Sequence, residues 1–114
     1  IIDLILLEKE PISLICLLND NYADGTDVSW IYDSYYENLS NLTIKDIYVS
    51  GMRKKDMKRR LEIAEIFDGE IKEFDYENEI KKVIKDTKTD NIYILSTYTA
   101  MLRLREVLDL WKNL

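Results

Sequence analysis

Four aspartates lie within residues 19–33, NDNYADGTDVSWIYD, directly after an apolar run of the sequence. Carboxylates grouped in this way can bind a cation, can serve as catalytic groups, or can simply cap neighbouring secondary structure. The four candidates are Asp20, Asp24, Asp27 and Asp33. Their chemistry depends on the elements that position them and on the reactive groups in the rest of the chain.

A calcium loop is the first possibility, because the stretch from Asp20 has Asp24 at its fifth position and Gly25 at its sixth. The match fails at the third position, which is Tyr22. It fails again at the twelfth, where Ile31 replaces the closing glutamate. We therefore expect no metal to be bound by this segment.

Other reactive groups are scarce, since the chain has one cysteine, Cys16, and no histidine. It can form no internal disulfide and supplies no Ser-His-Asp or Cys-His pair, which argues against a complete hydrolase and fits a reducing, cytoplasmic setting. Its three glycines cannot build a P-loop or a dinucleotide fingerprint. The net charge of −6 argues against general binding to nucleic acid or to anionic membranes.

The elements that must position these groups are read from hydrophobic periodicity. Apolar runs of strand length occur at residues 12–19, 44–50 and 92–95, with a weaker one at 70–74. Amphipathic helices are predicted at residues 53–67, 77–87 and 99–114, another before the second strand, and one at residues 1–10 that ends before Pro11. No apolar run approaches the roughly 20 residues that span a bilayer.

This alternation of strands and helices predicts an α/β fold, a three-layer, Rossmann-like domain with a mostly parallel sheet. We expect one domain over residues 1–114, as a piece of a longer protein. In such sheets ligands bind where the strands end at their carboxyl edge. Three polar segments are expected there: NDNYADGTD, SGMRKKD and STYTAM.

Two further groups of side chains are open to more than one interpretation. A basic cluster could contact phosphate, although charge patterning favours a solvated helix face with acidic partners; it comprises Arg53, Lys54, Lys55, Lys58, Arg59 and Arg60. An aromatic group could pack in the core or dock a protein partner, because tryptophan and tyrosine are enriched at interfaces; it comprises Trp30, Tyr32, Tyr35 and Tyr36.

Three segments of the chain together resemble a known family. They are LNDNYADGTDVSWIYD, VSGMRKKDMKRRLEIA and YILSTYTAMLRLREVL. In this order they resemble the carboxyl-terminal domain of MurT, the Mur-ligase-like subunit of the bacterial lipid II isoglutaminyl synthase. The resemblance covers essentially the whole chain, with small departures: Tyr32 stands where tryptophan is usual and Ser96 where proline is usual.

The resemblance implies a role in an ATP-dependent, glutamine-hydrolysing ligase of peptidoglycan synthesis. In that family the ligase subunit forms a heterodimer with the glutaminase GatD, and ammonia from glutamine amidates the D-glutamate α-carboxylate of the lipid II stem peptide. ATP, magnesium and a zinc ribbon belong to a central domain outside this chain, so we expect the chain alone to bind none of them and to be inactive. We also expect a cytoplasmic protein without a transmembrane segment, acting at the inner face of the membrane.

The resemblance further implies that an aspartate of this domain completes the glutaminase triad across the interface. Such a carboxylate orients the partner's histidine and stabilises its charged form. Our candidate is Asp27, with Asp24 and Asp33 as alternatives, and Asp33 could also cap the next helix. The residues expected at the interface with the glutaminase are Trp30, Tyr32 and Tyr35.

A substrate-binding group is implied at the carboxyl edge, where related Mur ligases hold the incoming amino acid or peptide. Its members are Asp20, Asn21, Ser96, Thr97 and Thr99. A simpler alternative is that Ser96 or Thr97 only caps the last helix. The competing hypothesis for the whole chain is a noncatalytic α/β interaction module that docks partners through its aromatic segment and basic helix.

Overall fold

The computed structural model of the chain describes residues 8–19 and 36–112. Its four strands are β1 (Ile12–Leu17), β2 (Ile44–Ser50), β3 (Ile71–Glu73) and β4 (Ile92–Ser96). A 3-10 helix (Tyr36–Asn41) precedes β2, and the helices α1 (Lys54–Ala64), α2 (Tyr76–Asp86) and α3 (Tyr98–Lys112) follow β2, β3 and β4. The sheet order is β3-β2-β1-β4, and all three strand pairs are parallel.

Strand β1 lies inside the sheet, hydrogen-bonded to β2 on one side and β4 on the other. All six of its residues are buried, as expected for a continuous apolar run covered on both faces. Residue Leu17 is level with both Ser50 of β2 and Ser96 of β4. The carboxyl ends of these three strands therefore lie side by side.

The first face of the sheet is covered by α1 and the 3-10 helix. Met57, Leu61 and Ala64 of α1 are buried, as expected for the apolar face of the amphipathic helix predicted at residues 53–67. Phe67 lies beyond the end of the helix and is partly buried against the same core. The core cluster on this face includes Leu14, Cys16, Leu39, Ile47, Val49, Met57 and Leu61.

The second face is covered by α2 and α3. Asp75 caps α2, since its carboxylate accepts a hydrogen bond from the backbone N–H of Glu77 at 3.1 Å. The core cluster on this face includes Ile15, Leu17, Tyr48, Ile80, Val83, Ala100 and Leu104. A parallel sheet between two layers of helices confirms the predicted three-layer, Rossmann-like α/β fold.

Near the amino terminus the structure differs from prediction. The helix expected at residues 1–10 is absent from residues 8–10, and residues 1–7 lie outside the described part of the chain. The Glu8 carboxylate instead accepts hydrogen bonds from the backbone N–H groups of Lys9 and Glu10. Pro11 also disfavours helical backbone at the residue before it.

The helix predicted before β2 is a 3-10 helix in its described part, Tyr36–Asn41. The weak strand prediction at residues 70–74 is confirmed as the short strand β3. Among residues 8–19 and 36–112, no helix has the length and apolar character needed to cross a membrane.

Candidate functional site

Asn19 is the centre of a hydrogen-bond network at the carboxyl edge of the sheet. Its side-chain oxygen accepts from the backbone N–H of Met52 at 3.0 Å, and its side-chain nitrogen donates to the hydroxyls of Thr99 at 3.2 Å and Tyr76 at 3.4 Å. Its own backbone N–H donates to the Thr97 hydroxyl at 2.9 Å. One 7% exposed residue thus joins the end of β1 to the turn after β2 and to the first turns of α2 and α3.

Backbone hydrogen bonds also hold the two residues that precede this asparagine. The N–H of Thr97 donates to the carbonyl of Leu17, which extends the pairing of β1 with β4. The N–H of Leu18 donates to the carbonyl of Ser50, and its own carbonyl accepts from the N–H of Arg53, each at 3.0 Å. The chain therefore stays bonded to both neighbouring strands until it reaches residue 19.

The turn after β2 depends on Gly51. Its φ of 97° lies in the region that favours glycine, and a Cβ built there would be 2.2 Å from the carbonyl oxygen of Leu18. The adjacent Ser50 is buried, and its hydroxyl accepts a hydrogen bond from the backbone N–H of Tyr76 at 2.9 Å. The start of α2 is thereby tied to the end of β2.

A cleft of about 530 Å³ opens over this network. Its buried lining includes Asn19, Ser50, Phe74 and Tyr76. This combination of buried polar groups with an aromatic wall is typical of small-molecule sites at the edges of parallel sheets.

The exposed lining of the cleft carries charges of both signs. Arg103 donates a hydrogen bond to Glu106 at 2.9 Å and another to Glu77 at 3.0 Å. Both bonds raise the pKa of its guanidinium, and the bond to Glu106 has the larger effect. Lys54, at the first position of α1, and the cap residue Asp75 also line the cleft. The cleft therefore offers both hydrogen-bond acceptors and cations to a ligand.

Comparison with known proteins assigns the chain to a family. The model of the MurT ligase C-terminal family matches residues 1–101. The chain is 40% identical over 107 residues to the lipid II isoglutaminyl synthase (glutamine-hydrolyzing) subunit MurT of Streptococcus pneumoniae, a match over 94% of this chain and 24% of that protein. The chain belongs to the MurT ligase C-terminal family.

A second MurT relative supports the same assignment. The subunit of the same name from Staphylococcus aureus strain COL is 48% identical over 60 residues, which cover 53% of this chain and 14% of that protein. The chain thus spans about a quarter of the length of its Streptococcus pneumoniae relative. The resemblance inferred from the three sequence segments is confirmed.

Of the residues predicted to bind substrate in this MurT-family domain, the structure describes three. Thr97 and Thr99 take part in the Asn19 network, and Thr99 also lines the cleft. Ser96 is the last residue of β4 and lies level with Leu17. These three residues are brought to one edge, whereas their contact with a substrate stays a prediction.

The remaining predicted site residues lie outside the described residues. They are Asp20, Asn21, Asp24, Asp27, Trp30, Tyr32, Asp33 and Tyr35. Their described neighbour in the sequence is Asn19, which follows β1 by two residues.

Asn19 and Tyr76 are the residues that sequence reasoning missed. Asn19 could have been noticed as the first polar residue after the apolar run of β1. Tyr76 directly follows a capping aspartate, at the start of a helix that follows a strand. Neither is charged, and so neither stood out beside the aspartates of the next segment.

Three of the six residues of the basic cluster, Arg53, Lys58 and Arg60, pair with carboxylates, which supports the acidic-partner interpretation. Arg53 pairs with Asp56 at 2.8 Å, and Lys58 with Glu73 at 3.7 Å. Arg60, which was counted with this surface cluster, is 5% exposed.

Arg60 fixes the 3-10 helix to α1. It donates two hydrogen bonds to the two oxygens of Glu37, at 2.9 and 2.7 Å, and its guanidinium lies 5.3 Å from the ring centre of Tyr36. The hydrogen bond from Arg60 lowers the pKa of the Glu37 carboxyl. This arginine therefore has a structural role.

Cys16 is fully buried in the middle of the sheet. Burial raises the pKa of its thiol to about 12, so at neutral pH it is neither a nucleophile nor a metal ligand. Within residues 8–19 and 36–112, no group of three or more carboxylate or thiol side chains is arranged to hold a metal ion.

Proposed function

We propose that this chain is the carboxyl-terminal domain of the ligase subunit of a glutamine-hydrolysing amidotransferase that amidates lipid II. The full reaction converts the α-carboxylate of D-glutamate in the stem peptide to the amide of D-isoglutamine. The observation that carries this proposal is the 40% identity to a named MurT subunit over 94% of the chain. The reaction belongs to the cytoplasmic face of the membrane, where a lipid-linked substrate meets soluble ATP and glutamine.

The chemistry of the chain is consistent with a domain that completes a site on another subunit. It has no histidine, and its single thiol is buried and protonated, so it cannot hydrolyse glutamine by itself. It does have four aspartates within residues 20–33, directly after the buried residue Asn19. A carboxylate is the one group that a cysteine–histidine pair on a GatD-like glutaminase would still need.

Asp27 is the carboxylate that we assign to this role, with Asp24 and Asp33 as alternatives. It would accept a hydrogen bond from the partner's histidine, select the tautomer that activates the cysteine, and stabilise the imidazolium. Trp30, Tyr32 and Tyr35 follow it closely in sequence and would supply apolar contact area for docking the partner.

The cleft at the carboxyl edge is the proposed place for the stem peptide or for ammonia on its way to the activated carboxylate. Asp20, Asn21, Ser96, Thr97 and Thr99 would supply its hydrogen-bonding groups. ATP provides the energy for activating the carboxylate. It would be held, with magnesium and the structural zinc, by parts of the ligase subunit outside this chain.

The test uses the full-length ligase subunit in complex with its glutaminase. Asp27→Asn should lower the kcat of glutamine hydrolysis by about 10³-fold or more, as expected for removing the carboxylate of a triad, while the complex stays assembled. Glutamate release measures the activity, and size-exclusion chromatography measures assembly. Asp24→Asn and Asp33→Asn are the matched controls and should leave hydrolysis near the wild-type rate.

The other possible outcomes for the three aspartate variants would contradict either the residue assignment or the proposed mechanism. If Asp24→Asn or Asp33→Asn abolishes hydrolysis while Asp27→Asn does not, the residue assignment is wrong. If all three variants hydrolyse glutamine normally, the chain completes no glutaminase site. The noncatalytic interaction module would then be favoured, provided that Trp30→Ala still weakens association of the subunits.

A further inference from the structure

The buried lining of the cleft contains a hydroxyl whose direction is set by its neighbours. The backbone N–H of Met52 can only donate, so the atom of Asn19 that faces it is the side-chain oxygen. The side-chain nitrogen of Asn19 therefore faces the Tyr76 hydroxyl, at 3.4 Å, and donates to it. Because this hydroxyl accepts from an N–H group, its own hydrogen must point elsewhere.

Ser50 is constrained in the same way. Its hydroxyl oxygen accepts from the backbone N–H of Tyr76 at 2.9 Å, so its hydrogen points away from that group. Ser50 is 1% exposed and Tyr76 is 5% exposed, and both line the cleft. In the described part of the chain, neither hydroxyl hydrogen has an acceptor. Since a buried donor is unfavourable without a partner, the two hydroxyls are suited to an acceptor on a ligand.

The charged groups of the lining add a cation to these donors. Lys54 lines the cleft, and its ammonium forms no ion pair with a described residue. The carboxylate of Asp75 already accepts from the backbone N–H of Glu77 and from the side chain of Asn78. That of Glu77 accepts from Arg103. The groups left for a ligand are therefore mainly hydrogen-bond donors and positive charge.

This arrangement favours a carboxylate over the corresponding carboxamide. Both oxygens of a carboxylate accept and neither donates, and hydrogen bonds to a charged group are the stronger ones. The NH₂ group of a carboxamide would face a hydroxyl hydrogen or the Lys54 ammonium, to which it cannot donate. The two groups differ in this way before and after amidation.

We propose that the cleft binds a carboxylate of the stem peptide, with Ser50 and Tyr76 donating to it and Lys54 balancing its charge. This inference rests on the proposed function and names the chemical group that the cleft recognises. Two carboxylates of the peptide have the required chemistry. One is the glutamate α-carboxylate that the reaction converts to an amide, and the other is the carboxyl terminus of the peptide.

The experiment measures amidation of lipid II by the full-length ligase subunit in complex with its glutaminase, at saturating ATP and glutamine. Tyr76→Phe keeps the ring and removes one donor, and Lys54→Met removes the positive charge. Each should lower kcat/KM for lipid II by about tenfold, mainly through a higher KM, as expected for losing an interaction with a charged group.

Tyr48→Phe and Lys55→Met are the matched controls. Tyr48 is also buried on the second face of the sheet but does not line the cleft, and Lys55 is an exposed neighbour of Lys54 that does not line it either. Both should leave kcat/KM within about twofold of the wild-type value. Thermal unfolding and size-exclusion chromatography ensure that folded, assembled complexes are compared.

Amidated lipid II, added as an inhibitor, identifies which carboxylate is bound. If it is the glutamate α-carboxylate, the amidated form lacks the recognised group, and Tyr76→Phe leaves its inhibition constant unchanged. If it is the carboxyl terminus of the peptide, Tyr76→Phe weakens inhibition by about as much as it raises the KM for lipid II. Either result supports a carboxylate site.

An unchanged kcat/KM in either Tyr76→Phe or Lys54→Met would overturn the inference, and so would an equal loss in the matched control. If Tyr76→Phe does not fold, Lys54→Met decides the outcome by itself, since Lys54 is not part of the buried core. Failure of the proposed function is distinct, because the wild-type complex would then not amidate lipid II.

Discussion

Replacing Gly51 by alanine should destabilise the fold strongly, because the glycine is required by two independent constraints. Its φ of 97° is strained for any residue with a Cβ. The new methyl carbon would also lie 2.2 Å from the carbonyl oxygen of Leu18 and 2.7 Å from its carbonyl carbon. Both contacts are with backbone, so no side chain can rotate out of the way.

The expected cost follows from these two constraints. The unfavourable φ costs of order 1–3 kcal/mol. Moving Leu18 away would weaken its hydrogen bonds to Ser50 and Arg53, each worth about 1 kcal/mol net. We therefore expect Gly51→Ala to lower the free energy of unfolding by about 3–5 kcal/mol, a large part of the 5–15 kcal/mol typical of a domain.

Urea unfolding followed by far-ultraviolet circular dichroism measures this loss, and Gly69→Ala is the control. The atoms nearest to a Cβ at Gly69 would be outer ring atoms of the partly buried Phe67 side chain, the first at 2.6 Å, and that ring can turn aside. Its cost should stay below about 1 kcal/mol, as for most surface substitutions. If both variants lose the same free energy of unfolding, the close approach of Gly51 to Leu18 is not as described.

Two further predictions concern buried groups. Cys16 should react with a thiol reagent at pH 8 only as fast as the protein unfolds, and at once in concentrated urea, because its pKa of about 12 leaves almost no thiolate in the folded state. Since this folded pKa lies above the ordinary value of 9.0, the contribution of the thiol to stability is complete below pH 9 and is lost as the pH rises toward 12. Rapid labelling at pH 8 without denaturant would contradict the burial of Cys16. For the pair of Arg60 and Glu37, Glu37→Ala should lower the urea midpoint more than Arg60→Met, because it leaves a buried guanidinium without its paired carboxylate, whereas the half-exposed Glu37 can be solvated. The opposite order would show that the packing of the arginine stem outweighs its charge.

The strands and most of the helices could be predicted because their burial depends on the order of apolar and polar residues within each short segment. The run from Ile12 to Leu17 is apolar without interruption, as required for a strand covered on both faces. The order of the strands was not predictable, since it depends on pairings between residues about 30 and 80 positions apart, such as Ile15 with Tyr48 and with Ile94. The helix predicted at residues 1–10 does not extend over residues 8–10, where Pro11 disfavours helical backbone at the preceding residue and the Glu8 carboxylate accepts from the backbone N–H of Lys9. Residues 1–7 lie outside the described part of the chain.

The charge of Arg60 was misleading for a related reason. In sequence it belongs to a run of basic residues that looks like a solvated face. In the fold its side chain is covered because Glu37 and Tyr36, more than 20 residues earlier, come to lie against α1. A single sequence does not show which member of a charged run faces inward.

In the candidate site, too, the sequence alone did not show which polar residue faces inward. The contacts of that residue, Asn19, explain why it is an amide rather than an acid. The sequence located the carboxyl edge and Thr97 and Thr99, because strand ends and hydroxyl residues are visible in the pattern. Asn19 sits where a group must accept from the Met52 N–H and also face two hydroxyls, at 7% exposure. A carboxylate could make these bonds only by burying a charge at a cost in desolvation, whereas the amide makes them while neutral. The buried residue at the centre of the network is thus uncharged, whereas Asp20 is the next residue in the sequence.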